Sequence, residues 1–232
     1  MYQQQNPPLS PKETLPTMYD LPSEEVEDSG LPDQYHLWQG ELLGETFFPP
    51  NYPQEQVFSA CDLNLYYDLR HTHWYKRPDW FAVVGVDRFY EKKASRLSYV
   101  TWQEGVNPFI VVELLSPSTE KEDLGKTLRA IDKPPTKWEV YERILRIPYY
   151  VVFNGNTNKL QVFQITGNTY QEISLSDQKI WLPEINLGLG LWEGTYQGLT
   201  RQWLRWYDQD GNWLSTSVER EETEKQRADQ AQ

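Results

Sequence analysis

The pattern of hydrophobic and polar positions predicts a sheet whose strands have helices packed against them. An alternating stretch, VFSACDLNLYYDL, begins at Val57, and a β-branched and aromatic stretch, DWFAVVGV, follows Pro78. FIVVELL, residues 109–115, is apolar on both faces, which is typical of a central strand covered on each side. Residues 87–106 are charged and lack periodicity, so we predict a surface loop there.

Two helices are predicted after the central strand. The first begins with the capping-box pair Thr119 and Glu122, and the second with the pair Thr136 and Glu139. The apolar residues expected on their buried faces are Leu124, Leu128 and Ile131 in the first helix and Val140, Tyr141, Ile144 and Leu145 in the second. Three further apolar stretches, YYVVF, KLQVFQI and YQEISL, are separated by turn sequences and predict a strand meander.

Two segments near the ends are harder to assign. QYHLWQGELLGETFF, which includes Tyr35, fits a short helix or a strand with a glycine turn, and the pattern leaves both open. GLTRQWLRWY, before residue 208, is predicted to be a closing helix. The fold class is therefore α/β, with a mixed central β-sheet flanked by helices.

Composition divides the 232 residues into three parts. Residues 1–33 hold six of the 16 prolines and seven acids against one lysine, so we expect an acidic, proline-rich arm that is disordered. Residues 34–214 form the predicted folded domain. Residues 215–232 are polar on every face and predict a charged helical tail.

Charge, hydropathy and cysteine content bear on the partners and the location of the protein. The formal net charge of −12 argues against a nucleic-acid partner, but residues 68–146 alone carry +2. No apolar stretch is long enough for a membrane helix, the N-terminus lacks the pattern of a signal peptide, and Cys61 is the single cysteine. We expect a cytoplasmic protein with no membrane partner.

The most unusual position is Glu113, inside the apolar central strand. An unpaired carboxylate in an apolar interior is too costly to persist, so Glu113 must face a cation at the strand end. Either a salt bridge to a core Arg or Lys or a bound metal satisfies this requirement. Asp79 stands at the start of another buried strand, and two carboxylates at adjacent strand ends suit Mg²⁺ or Mn²⁺.

A lysine is the third expected member. Lys137 heads the apolar face of the second helix, where an ammonium needs an anion nearby, although a lysine that extends its ammonium to solvent from a helix start is the alternative. Lys126 lies roughly 200° from Leu124 and Leu128 and should point to solvent. Helix phase thus favours Lys137 over Lys126.

Four stretches of the sequence resemble those of a known family. RPDWFAVVGV, FIVVELLSPST, DLG and KWEVYERILRIPYYVVF look like the Uma-type putative restriction endonuclease family, a PD-(D/E)xK nuclease group. The resemblance covers roughly residues 35–195 and implies a restriction-endonuclease-like core with a metal held by Asp79 and Glu113. The family's Gly-Glu-Leu segment matches residues 40–42, which adds Glu41 as a further acid. The sequence departs from the family pattern in two ways. Leu115 stands where the ancestral Glu-x-Lys motif has its lysine, so the lysine must come from elsewhere in the chain. In addition, KTLRAIDKPPT resembles an insertion between DLG and Lys137.

The resemblance implies metal-assisted hydrolysis of DNA phosphodiester bonds, with Lys137 orienting a water or stabilising the developing charge. Candidate DNA-backbone contacts are Arg70, Lys76, Arg77, Lys92 and Lys93, and the alternative is that these residues belong to a solvated loop. The alternative is a catalytically silent nuclease-fold module for binding or assembly, which the net charge of −12 favours. A carbohydrate-active enzyme using Asp79 and Glu113 has no supporting sugar-binding pattern. An edge strand and the polar tail also make a homodimer an expectation.

Overall fold

The computed structural model describes residues 33–116, 120–126 and 133–230. The predicted arm lies outside this part of the chain except for Asp33, as do Thr119, Leu128 and Ile131 of the first predicted helix. The strands are, in chain order, β1 (Val57–Cys61), β2 (Leu65–Tyr66), β3 (Tyr75–Lys76), β4 (Trp80–Val84), β5 (Tyr99–Val100), β6 (Ile110–Leu114), β7 (Tyr149–Asn154), β8 (Lys159–Thr166), β9 (Thr169–Glu172), β10 (Lys179–Leu182), β11 (Leu187–Tyr196) and β12 (Leu199–Tyr207). The α-helices are α1 (Gln34–Thr46), α2 (Thr101–Glu104), α3 (Glu120–Asp123), α4 (Lys137–Glu139) and α5 (Ser217–Gln230).

The central sheet is mixed, as the sequence predicts. Its six strands lie in the order β1-β4-β6-β7-β8-β9. Neighbouring strands are antiparallel except β6 and β7, which run parallel. All five residues of β6 are buried, which confirms the central strand predicted from its apolar pattern. The strand meander predicted from YYVVF, KLQVFQI and YQEISL is also present, as β7, β8 and β9.

The two faces of β6 contact different parts of the core. Ile110, Val112 and Leu114 pack on the face that also carries α1 residues and the β10-β11-β12 sheet. Val111 and Leu115 pack on the opposite face with residues of the α4 region. Because side chains alternate along a strand, Glu113 shares the α4 face.

The segment QYHLWQGELLGETFF, for which the sequence left a helix and a strand open, forms helix α1. Asp33 caps the helix by accepting a hydrogen bond from the backbone N–H of His36 at 2.9 Å. The side chain of Gln39 donates to the carbonyl of Leu204 at 2.9 Å and accepts from its N–H at 2.8 Å. His36 and Gln39 are polar yet buried, so the apolar periodicity of this helix is weak in the sequence.

The prediction of a closing helix in GLTRQWLRWY is wrong. This segment is β12, which pairs antiparallel with β11 from Leu199 to Tyr207. Residues 203–207 are all buried, because the strand is covered on both faces, and this tertiary context overrides the helix-like spacing of Leu199, Trp203 and Trp206. The prediction of a plain loop at residues 87–106 also needs correction, since β5 and α2 lie within it.

The second predicted helix forms with its capping box intact. The Thr136 hydroxyl accepts from the N–H of Glu139, and the Glu139 carboxylate accepts from the N–H of Thr136. After α4 the helix continues as a π-helical turn, Val140–Ile144, with the N–H of Leu145 donating to the carbonyl of Val140. This wider turn shifts the helix phase, so Ile144, predicted to be buried, is exposed.

The C-terminal helix α5 has no buried residue, in keeping with the polar tail predicted there. Within the described ranges, no helix combines the length and apolar character needed to cross a membrane. Of the first predicted helix the structure describes the short α3, which is followed by Gly125 in a left-handed backbone conformation (φ 67°).

Candidate functional site

Glu113 lies near the C-terminal end of β6 with its side chain fully buried (0 % exposed). Its Oε2 accepts a hydrogen bond from Nζ of Lys137 at 2.8 Å, and its Oε1 accepts one from the hydroxyl of Tyr141 at 2.8 Å. The backbone N–H of Asp79 reaches Oε2 at 3.4 Å. The carboxylate therefore has a cation and two further donors, as the cost of burying it requires.

Asp79 is the residue immediately before β4, the neighbour of β6 in the sheet. Its Oδ2 accepts a short hydrogen bond, 2.6 Å, from the backbone N–H of Leu114. Because β4 and β6 are antiparallel, the start of β4 lies beside the end of β6, and Asp79 comes next to Glu113. The sequence prediction that both carboxylates lie at the ends of adjacent buried strands agrees with this arrangement.

Lys137 is the first residue of α4, and its side chain is 18 % exposed. Besides Glu113, its ammonium contacts Oδ1 of Asp123 at 3.4 Å. Lys137 therefore contacts two carboxylates, that of Glu113 in the central sheet and that of Asp123 in α3. Lys126 is exposed to solvent, as predicted, but it lies beyond the end of α3, so helix phase is not the reason for its exposure.

The pKa values in this cluster are set by burial and by the charges of neighbouring side chains. Burial raises the pKa of Glu113 to about 7; Lys137 opposes this shift and Asp79 adds to it. Burial also raises the pKa of Asp79, against the charge of Lys137. Burial alone would lower the pKa of Lys137, but the carboxylates of Asp123, Glu113 and Asp79 raise it well above its ordinary value. Lys137 is therefore an ammonium at neutral pH, among three carboxyl groups.

His36 is a member of the surroundings that sequence reasoning missed. Its Nδ1 lies 2.7 Å from Oδ1 of Asp33, and its Nε2 lies 3.1 Å from the carbonyl oxygen of Leu114. Both ring nitrogens face acceptors, which suits a doubly protonated ring. Burial lowers the pKa of His36, but Asp33 and Asp79 outweigh it and raise that pKa. The sequence signal that could have indicated His36 is its position three residues after Asp33, which is the spacing of a helix N-cap and the residue that it caps.

Asp123 and Tyr141 were also missed as site residues. Asp123 is almost fully buried at 1 % exposure, and the hydroxyl of Tyr150 donates to its backbone carbonyl at 2.9 Å. Tyr141 is fully buried, and its pKa is raised well above the ordinary value by burial and by Glu113, so it stays a neutral donor. Tyr141 follows Lys137 by four residues, a spacing that places both on one helix face.

Glu41 lies near the site but outside the cluster. Its side chain is exposed and lines an open groove together with Cys61. Burial raises the pKa of the Cys61 thiol to about 12, and Glu41 and Asp79 contribute to this shift. Gly40 brings α1 against the sheet here, since a Cβ on it would lie 2.7 Å from Sγ of Cys61.

The five candidate DNA-contacting residues differ in solvent exposure and in their contacts with acidic side chains. Arg77 is bonded to Asp62, at 2.6 Å from Oδ2, and Lys76 is buried. Arg70 is exposed beside Asp68, at 3.6 Å. Lys92 and Lys93 are both exposed in the segment after β4. Their role in binding DNA stays a prediction.

The metal implied by the resemblance can be compared with the donors in place. Carboxylate oxygens, such as those of Asp79 and Glu113, are the ligands that Mg²⁺ and Mn²⁺ prefer. In this arrangement Lys137 and Tyr141 already bond Glu113. Among the residues that the structure describes, no three His, Cys, Asp or Glu side chains converge as a ready metal-binding set. The donor chemistry fits a metal, while the geometry is that of an ion-paired cluster.

Comparison with known proteins identifies the family. The model of the Uma2 family, described as "Putative restriction endonuclease", matches residues 9–202. No curated protein matched the chain. The match spans the central sheet, the Asp79, Glu113 and Lys137 cluster and most of the β10-β11-β12 sheet. The match covers more than half of the chain, and the chain has the mixed central sheet and flanking helices of a restriction-endonuclease-like fold, so this protein belongs to the Uma2 family of putative restriction endonucleases.

Proposed function

We propose that the protein is an Mg²⁺- or Mn²⁺-dependent endonuclease that hydrolyses DNA phosphodiester bonds. The observation that carries the proposal is the contact of Lys137 Nζ with Glu113 Oε2 at 2.8 Å, beside Asp79 at the adjoining strand end. Lys137 lies beside Asp79 and Glu113, two carboxyl groups whose oxygens are the ligand type that a hard divalent cation prefers. The family match supports the nuclease assignment.

Asp79 and Glu113 would hold the metal ion. A bound divalent ion supplies a Lewis acid for a phosphate oxygen and favours deprotonation of water at neutral pH. The backbone N–H of Leu114 orients Asp79, and the Tyr141 hydroxyl orients Glu113, so both carboxylates are fixed before substrate arrives. His36 contributes by bonding the Leu114 carbonyl, which holds the end of β6 in place.

Lys137 supplies positive charge where phosphodiester cleavage develops negative charge. Its pKa is held well above the ordinary value by Asp123, Glu113 and Asp79, so it keeps its proton. It would therefore stabilise the transition state by electrostatics and would not act as a general base. Its side chain is largely buried, where such an interaction is stronger than in water.

The test is a cleavage assay on plasmid and short duplexes in Mg²⁺ or Mn²⁺. Wild-type protein is compared with Glu113→Ala and Lys137→Ala, and with Lys126→Ala as the matched lysine control. We expect each site variant to lose roughly 10²- to 10³-fold in rate and the Lys126 variant to keep the wild-type rate. If all four proteins show the same trace cleavage, the proposal is wrong.

A catalytically silent module is the second candidate function. Both oxygens of Glu113 are bonded within the chain, and its pKa near 7 leaves it partly protonated at neutral pH. Such a cluster can exist purely as a structural ion pair. Calorimetry with Mn²⁺ separates the two functions, because a silent module predicts no heat of binding that depends on Asp79.

A homodimer and a cytoplasmic location remain predictions from the sequence. Equilibrium sedimentation of the full chain tests the first. A mass of one chain at every concentration would remove the homodimer from the proposal.

A further inference from the structure

An open groove of about 700 Å³ runs along the outer side of β1, the edge strand of the central sheet. All five residues of β1 line it. Helix α1, the segment of residues 88–96 and the first turn of α5 supply most of the remaining lining. The groove therefore follows a sheet edge for the full length of one strand.

One end of this groove adjoins the proposed catalytic cluster. Cys61 pairs with Trp80 in the sheet, directly after Asp79, and the N–H of Asp62 donates to the carbonyl of Asp79 at 3.3 Å. At the other end, the N–H of Arg88 donates to the carbonyl of Glu55, close to Val57. Four residue steps along β1 give a length of about 13 Å.

Arginine and phenylalanine side chains line the groove in pairs. Each of the three guanidinium groups lies over a ring of the same groove: Arg96 over Phe58 at 4.5 Å, Arg220 over Phe48 at 5.4 Å and Arg88 over Phe89 at 5.8 Å. Arg96 is bonded to Glu104 as well, whereas Arg88 and Arg220 are exposed.

Phe89 is the most exposed of the three phenylalanines, with 51 % of the residue accessible to solvent. A second cavity of about 580 Å³ shares Gln54, Arg88 and Phe89 with the groove, so Phe89 stands where the two meet. Exposed aromatic faces beside arginines provide stacking surfaces for unpaired bases and contacts for phosphates. Paired bases inside a duplex cannot stack on such rings.

We propose that this groove binds an unpaired nucleic-acid strand and leads it into the catalytic cluster. The inference rests on the proposed nuclease function and specifies its substrate as DNA with a single-stranded segment. Arg88, Arg220 and Phe89 hold the strand at the end remote from Asp79. Glu41 and Glu45 line the α1 side, so their charge favours strand contacts on the opposite, arginine-bearing side of the groove.

The test is fluorescence anisotropy with a labelled single-stranded oligonucleotide and a blunt duplex of the same sequence, in EDTA to prevent cleavage. We expect the full chain to bind the single strand more tightly than the duplex. Phe89→Ala and Arg220→Ala should each weaken single-strand binding about tenfold or more. The matched controls are Leu97→Ala, directly after the segment of residues 88–96, and Arg227→Ala, in the same helix as Arg220. Neither residue lines the groove, so both variants should keep wild-type affinity.

Equal affinity of wild type, Phe89→Ala and Arg220→Ala would overturn the inference, and this result is expected if a peptide segment occupies the groove. Preference for the blunt duplex would overturn it too. The failure of the proposed function looks different: single-strand binding that depends on Phe89 persists, while no metal produces cleavage. Conversely, normal duplex cleavage by both groove variants would leave the nuclease proposal intact and remove this one.

Discussion

Nζ of Lys137 lies 2.8 Å from Oε2 of Glu113, and the same ammonium contacts Asp123 at 3.4 Å. Glu113 belongs to β6 and Asp123 to α3, so one lysine connects two separate elements of the fold. This relationship accounts for an acidic residue in an otherwise apolar strand. It also makes the stability of the fold and the proposed chemistry depend on the same side chain.

Replacing Lys137 with methionine should destabilise the protein strongly. The substitution keeps the approximate length of the side chain but removes the ammonium that Glu113, fully buried, contacts at 2.8 Å, which costs about 3 to 5 kcal/mol in the free energy of unfolding. Urea unfolding measures the change. Lys126→Met, at an exposed lysine, should stay within about 0.5 kcal/mol of wild type. Equal stability of the two variants would mean that the Lys137 ion pairs contribute nothing.

Tyr141→Phe isolates the hydrogen bond to the second oxygen of Glu113. Removing the hydroxyl leaves Oε1 without its donor in a fully buried position, so we expect a loss of about 1 to 3 kcal/mol in unfolding free energy. Thermal and urea unfolding provide the measurement. Tyr75→Phe, at an exposed tyrosine, is the control and should be nearly neutral. A loss of the same size in both variants would count against this role of Tyr141.

The pairing of His36 with Asp33 predicts a pH-dependent stability. The folded pKa of His36 is raised above 6.5, so its contribution is fully present below that pH and is lost as the pH rises through the folded pKa. The difference in unfolding free energy between wild type and His36→Gln should therefore be larger at about pH 5.5 than at about pH 8.5. A difference that grows with pH would show that the ring is buried in its neutral form.

Gly40 is required by the close approach of α1 to β1. A Cβ at this position would lie 2.7 Å from Sγ of Cys61, so Gly40→Ala should cost about 1 to 3 kcal/mol. Adding Cys61→Ala removes the clashing sulfur and should recover part of the loss. Gly44→Ala serves as the control, because its nearest contacts are at 3.8 Å and alanine favours the helix by up to about 1 kcal/mol. The same loss with and without Cys61 would contradict the packing argument.

Binding of Mn²⁺ should strengthen as the pH rises through about 7. Burial raises the pKa of Glu113 to about 7, so at lower pH a proton occupies the carboxyl group that the metal needs. Calorimetric titrations at about pH 6 and about pH 8 measure the affinities. Glu113→Gln should bind weakly at both pH values. A wild-type affinity that does not change with pH would mean that Glu113 is not a ligand.

The sequence predicted the parts of the fold that depend on local pattern. The apolar stretch around Glu113 indicated the central strand, the Thr136 and Glu139 spacing indicated the helix start, and the phase of Lys137 indicated its direction. Each of these signals lies within a few residues. The cluster of Asp79, Glu113 and Lys137 could therefore be anticipated from strand ends and helix phase.

What the sequence could not predict depends on distant contacts. The segment of β12 has helix-like spacing, and its pairing with β11 and the bonds from Gln39 to Leu204 decide its conformation. Asp123 and His36 join the site only through the tertiary fold, because neither lies in a strand or helix pattern that includes Glu113. The π-helical turn after Glu139 likewise moved Ile144 out of the buried face.

The most direct test of the central claim is the rate of plasmid cleavage as a function of Mn²⁺ concentration. If Asp79 and Glu113 hold the metal and Lys137 acts on the substrate, Asp79→Asn should require far more Mn²⁺. Lys137→Ala should stay roughly 10²-fold or more slower even at saturating Mn²⁺, and Lys126→Ala should follow the wild-type curve. Cleavage that is independent of Mn²⁺, or identical curves for all four proteins, would contradict the account.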